Sequence, residues 1–205
     1  MRAGALCACT GALACVVDPP QVPVVPAAVE PAGARLDADF RLVEAVGQGI
    51  LLPLPDADGW RRDPREAMTW VASHTATDSR LLVRTFRAER IARAQDCEQQ
   101  MRLWRRDLPA LAAAGRESRR VRLDGGYAGE LVTGAEVRGA SHVVTGHALV
   151  FASDGRECLC LAFSTSAEGS GAASIVGARL GNITRGAFER AHRLGIEANV
   201  RPPER

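Results

Sequence analysis

Ser141-His142-Val143-Val144-Thr145-Gly146-His147-Ala148-Leu149-Val150-Phe151, followed after Ala152 by Ser153-Asp154-Gly155 and then by Glu157-Cys158-Leu159-Cys160-Leu161-Ala162-Phe163-Ser164, is the stretch that decides the fold. Two runs rich in β-branched and aromatic residues flank a short turn made of residues that tolerate tight backbone conformations, which is the pattern of a β-hairpin. Working toward the C-terminus, Glu168-Gly169-Ser170-Gly171 reads as a connector. It opens into a helix over about Ala173 to His192, with Ile175, Ala178, Ile183, Ala187 and Ala191 among its apolar positions. Working toward the N-terminus, Arg120-Val121-Arg122-Leu123 leads through the turn Asp124-Gly125-Gly126 into a strand-like run from Tyr127 to Val137. The late part of the chain is therefore a block of antiparallel strands closed by a helix.

Upstream, the period changes. Between Ala88 and Leu111, the residues Ala94, Cys97, Met101, Trp104 and Leu108 recur at spacings of three and four and form one apolar face of a helix that Pro109 ends. Before it, Thr69 to His74 and Arg80 to Phe86 flank Thr77-Asp78-Ser79 as a second hairpin. Ile50-Leu52 makes a first strand, ended by Pro53 and Pro55, with a turn at Asp56-Ala57-Asp58-Gly59. The order strands, helix, strands, helix predicts an α+β fold: an antiparallel β-sheet packed against a mid-chain helix and a C-terminal helix.

The first forty residues read differently. Ala3 to Ala14 carries no charge, is mostly small or apolar, and follows the single basic residue Arg2. It is too short for a membrane span of about 20 residues and has the length of a signal-peptide core. Ala12-Leu13-Ala14 before Cys15 satisfies the small-x-small rule for cleavage, and it resembles a bacterial lipobox, whose cysteine is acylated, with Ala12 where leucine is usual. Pro19, Pro20, Pro23, Pro26 and Pro31 then predict an extended spacer. The expected organisation is a signal peptide over 1–14, a proline-rich tether over 15–39 and a single domain over 40–205. This places the protein in the bacterial cell envelope, anchored to the membrane through acylated Cys15 and facing the periplasm or exterior. Simple secretion is the alternative.

Composition bounds the partners. All 26 basic residues are arginine, set against 24 acids for a formal charge of +2, so no global field draws the chain to nucleic acid. A domain of about 165 residues buries close to 70% of its unfolded surface and supports its own core.

Of the six cysteines, Cys7 and Cys9 lie in the leader and Cys15 is expected to be acylated, leaving Cys97 on the apolar helix face and Cys158 and Cys160 on one face of a strand. In an oxidising compartment, a bridge from Cys97 to one of those two is the natural inference, with the choice between them and the alternative of three free thiols both open. His74 and His192 lie on separate elements, and His142 and His147, five apart on one predicted strand, face opposite sides, so the histidines predict no metal site. Gly169-Ser170-Gly171 lacks the spacing of a nucleophile elbow, and Gly47-Gln48-Gly49 precedes a strand where a nucleotide loop would follow one. No cofactor is called for. Asn182-Ile183-Thr184 fits the glycosylation sequon but falls within the predicted C-terminal helix. Trp104 belongs to the helix face and to the core, whereas Trp60, next to a turn and ahead of Arg61-Arg62, is expected to be accessible and to contact a ligand or partner.

The early Leu52-Pro53-Leu54-Pro55 with a tryptophan, the mid-chain helix carrying Asp96-Cys97 and the terminal helix together resemble a PsbP/DcrB-like sandwich over roughly Phe40 to Leu194. That resemblance implies binding or assembly more than chemistry, and it transfers no functional residue. The functional expectation is a non-catalytic envelope protein that binds or scaffolds another envelope component. The alternative is a small-molecule-binding domain using a cleft between sheet and helix.

Overall fold

The long hairpin is the spine of the molecule: β8 (Ser141–Asp154) and β9 (Glu157–Glu168) pair along their whole length, from Val143 opposite Glu168 to Asp154 opposite Glu157. Gly155, at φ 57°, supplies the left-handed backbone that the two-residue connection needs. The computed structural model describes residues 39–66, 68–106, 116–139 and 141–194. The other elements are β1 (Phe40–Ala45), β2 (Ile50–Pro55), β3 (Trp60–Asp63), β4 (Trp70–His74), β5 (Ser79–Arg87), α1 (Ala94–Trp104), β6 (Arg116–Arg122), β7 (Ala128–Arg138), α2 (Ala172–Gly181) and β10 (His192–Arg193). Helix α2 runs on as a π-helix over Asn182–Phe188. Every strand pairing is antiparallel, in a seven-stranded sheet of order β3-β4-β5-β9-β8-β7-β6 and a three-stranded sheet of order β1-β2-β10. The α+β expectation holds.

The large sheet is buried on both faces at its centre, which is why β8 and β9 read as nearly continuous apolar runs. On one face, Val150, Leu161 and Phe163 pack with Val176, Leu180, Ile183 and Phe188 of the C-terminal helix and with Ile50, Leu52 and Leu54 of the small sheet. On the other face, Leu149, Phe151, Cys158, Cys160 and Ala162 pack beneath Cys97 and Met101 of α1. The strand period of two thus sends alternate residues of β9 into two separate cores.

Four details depart from the sequence reading. Pro53 and Pro55 lie within β2 rather than ending it. The bond from Asp56 N–H to Asp39 O (3.1 Å) sets the ladder so that odd-numbered residues of β2 point away from β1, toward β10, and β10 reaches only as far as His192 opposite Leu51. Neither proline removes a ladder bond there. Strands β1 and β3 are additional, being short and polar on one side. Helix α1 begins at Ala94 rather than Ala88, with Ala94 exposed, and the predicted end at Pro109 lies outside the described residues. Of the apolar positions read for the C-terminal helix, Ile183 and Ala187 are buried in the π-helical run, but Ile175 and Ala191 are half-buried and Ala178 exposed, and the buried positions of α2 are Ala172, Val176, Arg179 and Leu180. Alanine and glycine occur on every face of that helix, so its apolar periodicity admits more than one phase.

Candidate functional site

Helix α1 covers only the middle of its face of the sheet. Its Cys97 is bridged to Cys158 of β9, with Cα atoms 5.2 Å apart, and Trp104 meets the Phe86 ring edge-on at a centroid distance of 6.0 Å. Strands β7 and β6 continue past the helix. Between them and α1 opens a cleft of about 690 Å³, with Met101, Val132, Leu149 and Phe151 in its floor and Arg102, Arg120 and Arg122 around it.

The arginine positions follow from register. In β6 the even-numbered side chains stand on the α1 side, where Arg120 faces Glu130 and Arg122 faces Ala128 across the ladder. Arg102 pairs with Glu98 one turn earlier in α1 at 2.8 Å. Glu130 accepts a hydrogen bond from the Ser118 hydroxyl. Ser118 and Glu130 form no nucleophile–base pair of the relay kind, because a carboxylate alone draws a hydroxyl proton poorly and no imidazole lines the cleft. A concave, partly apolar floor bordered by guanidinium groups suits an anionic group carried on an apolar body. On the opposite face of β6 and β7, a second cleft of about 670 Å³ is lined by Val121, Leu123, Leu131 and Leu180, with Thr184 and Arg185 at its helix side.

A buried polar network at the other end of the sheet was not legible from the sequence. His74, 1% exposed, contacts the Asp56 carboxylate through Nε2 at 2.9 Å and the Thr77 hydroxyl through Nδ1 at 2.8 Å. Thr77 reaches Ser79, and Ser79 reaches Thr165, at 2.8 and 2.9 Å. Arg179, 5% exposed, donates to the Thr77 carbonyl at 2.9 Å, to the Ser166 carbonyl at 2.8 Å and to the Thr165 hydroxyl at 3.2 Å. The absence of a side chain at Gly59 makes room for the imidazole, since a Cβ there would lie 1.9 Å from His74 Nε2. An acid, an imidazole and a hydroxyl in line share the outline of a catalytic relay, but Thr77 is 1% exposed and lines neither of the two clefts. The network ties β4, β5, β9 and α2 together. The available signal was Arg179, a charge in phase with Val176 and Ile183 on the buried side of its helix.

The predicted site residues are placed as follows. The Cys97 bridge exists and its partner is Cys158; Cys160 stays free and buried, and burial pushes its thiol up to about 12, which leaves it protonated and unreactive at neutral pH. The expectation of an accessible Trp60 is corrected. Trp60 is 7% exposed, its Nε1–H donates to the Pro55 carbonyl at 2.9 Å, and its ring lies against His74 and Phe163. The turn and arginines around it mark the sheet edge, while the strand turns the indole itself inward. His142, on β8, and His192, on β10 of the small sheet, are exposed and belong to other strands than His74 of β4. The sequon residue Asn182 opens the π-helix and is half-buried. Cys15, the leader and most of the tether lie outside the described residues, and no helix among those described is long and apolar enough to cross a membrane.

No family model and no curated protein matches the chain. Among solved structures, it is similar to a protein from Bacteroides thetaiotaomicron at 6% identity and a TM-score of 0.43, over 76% of this chain and 48% of that one, so the chain spans about half of that structure's length. It is also similar to LpqN of Mycobacterium tuberculosis, described as involved in cell envelope biogenesis, at 13% identity and a TM-score of 0.43, over 74% of this chain and 88% of that one.

Proposed function

We propose that this chain is an exported, lipid-anchored cell-envelope protein whose domain binds a ligand without catalysis in the cleft between α1 and β6–β8. The observation that carries the reading is the cleft itself: an apolar floor of Met101, Val132, Leu149 and Phe151 bordered by Arg102, Arg120 and Arg122. The cleft lies between sheet and helix, where an anion on an apolar body would be held, and this supports the reading. The resemblance to PsbP/DcrB-like sandwiches, with their binding and assembly roles, agrees with it. Export is supported by the uncharged run Ala3 to Ala14 between Arg2 and Cys15 and by the Cys97–Cys158 bridge, since stable disulfides belong to oxidising compartments.

Two experiments test the two halves. Anilinonaphthalene sulfonate, an anion on an apolar body, should bind the native domain at one saturable site. The double substitution Arg120→Glu/Arg122→Glu should weaken that binding by about tenfold or more, while Arg185→Glu at the opposite cleft leaves it unchanged. Equal affinity in both variants would remove the cleft from consideration. For the anchor, intact-mass measurement of membrane-fraction protein should give a chain starting at acylated Cys15. A chain retaining Met1, or one starting at Cys15 without lipid, would refute the anchor.

A further inference from the structure

Among the described residues, β6 pairs with β7 alone and is the edge of the seven-stranded sheet. The phase of its ladder is set by the bond from Leu123 N–H to Tyr127 O (2.8 Å), which continues the register in which Arg122 faces Ala128. Odd-numbered residues are therefore in the bonded pairs with β7, and the main-chain N–H and C=O groups of the even-numbered residues Ser118, Arg120 and Arg122 point outward from the sheet. Side chains alternate as well. Arg120 and Arg122 stand on the α1 side and Val121 and Leu123 on the α2 side, and because β6 is the edge strand, Arg120, Val121 and Arg122 border both clefts. Both guanidinium side chains are exposed, and no ion pair joins Arg120 to Glu130 among the described residues although the two face each other. Among the described residues no strand lies beyond this edge, and each face of β6 borders a cleft shared with a helix.

We propose that the ligand of this domain is an extended peptide of alternating acidic and apolar residues that adds antiparallel to β6 as an eighth strand. The inference rests on the reading that the α1–β6–β7 cleft is the binding site and names the class of ligand it takes. Main-chain bonds to Ser118, Arg120 and Arg122 supply affinity. Residues directly opposite Arg120 and Arg122 share their face, so acidic side chains there enter the arginine-bordered cleft, and the apolar residues between them fall against Val121 and Leu123. Arginine on an edge strand discourages pairing with a second basic strand such as β6 itself, which makes the edge selective for an acidic partner.

Fluorescence anisotropy with a labelled seven-residue peptide of alternating glutamate and valine tests this on the folded mature chain. In the bound register, the glutamates occupy the bonded pairs with Arg120 and Arg122. N-methylation at the glutamate amides should therefore weaken binding by about tenfold or more, and N-methylation at the valine amides should change it little. The substitution Arg120→Glu/Arg122→Glu should transfer preference to a peptide of alternating lysine and valine. Equal binding of the two N-methylated peptides would show attraction by charge alone and overturn the added strand, as would equal binding of the glutamate and lysine peptides to the unsubstituted protein. If the peptide fails to bind while anilinonaphthalene sulfonate still occupies the cleft, the strand inference falls and the cleft reading survives. If neither binds, both fall.

Discussion

Cys97→Ala is expected to lower the unfolding free energy by about 4 kcal/mol under oxidising conditions and by far less once reductant is present. The bridge to Cys158 closes a loop of sequence separation 61, and loop-closure entropy for a ring of that size gives about 4 kcal/mol. In dithiothreitol the unsubstituted chain loses the same constraint, so the two midpoints in guanidinium chloride should converge. Cys160 cannot rescue the variant, because the substitution removes the α1 cysteine that any bridge across this ring requires. The consequence extends to the cleft, because α1 has 11 residues, is marginal as an isolated helix, and grips the sheet through Cys97, Met101 and Trp104. Equal midpoints in oxidising buffer, or full alkylation of Cys97 in native unreduced protein, would contradict the bridge.

Arg179→Met should cost about 3 kcal/mol or more in urea unfolding, without change in oxidation state. Methionine keeps much of the length and volume, so the loss reports the polar contacts. The guanidinium donates to the carbonyls of Thr77 and Ser166 and to the Thr165 hydroxyl; the Ser79 and Thr165 hydroxyls still reach the Thr77 carbonyl without it, so its removal costs three charge-assisted bonds and falls hardest on the Ser166 carbonyl at the junction of β5, β9 and α2. Bonds from a charged donor in such a setting are each worth about 1.5–3 kcal/mol. A loss below about 1 kcal/mol would show that water takes over those acceptors and that the network is less tightly closed than its geometry indicates.

The fold was largely legible because its central elements obey simple periods. The Ser153-Asp154-Gly155 turn announced the long hairpin, and the three-and-four spacing of Cys97, Met101 and Trp104 announced α1 and the face it covers. The common face of Cys158 and Cys160 made a bridge to Cys97 the natural inference but left three free thiols open, and the choice of Cys158 depends on how far along β9 the helix crosses, which no period encodes. What escaped was set by tertiary pairing. The prolines of β2 are tolerated only because β10 stops at Leu51, a fact of the ladder rather than of local propensity. Trp60 is next to turn residues and arginines, yet its strand directs the indole between His74 and Phe163. The cleft was anticipated as a place between sheet and helix, but its lining was not. Arg120 and Arg122 looked like ordinary exposed strand residues until α1 proved too short to cover them, and Arg179 looked like one more surface charge on an alanine-rich helix.

The most direct test of the central claim is an amide chemical-shift map of the isotopically labelled domain titrated with anilinonaphthalene sulfonate. The account predicts perturbations concentrated at Gln95, Glu98 and Met101 of α1, at Arg120 and Arg122 of β6, and at Val132 and Leu149 of β7 and β8. Perturbations centred instead on Leu180, Thr184 and Arg185, or spread evenly with no focus, would contradict it.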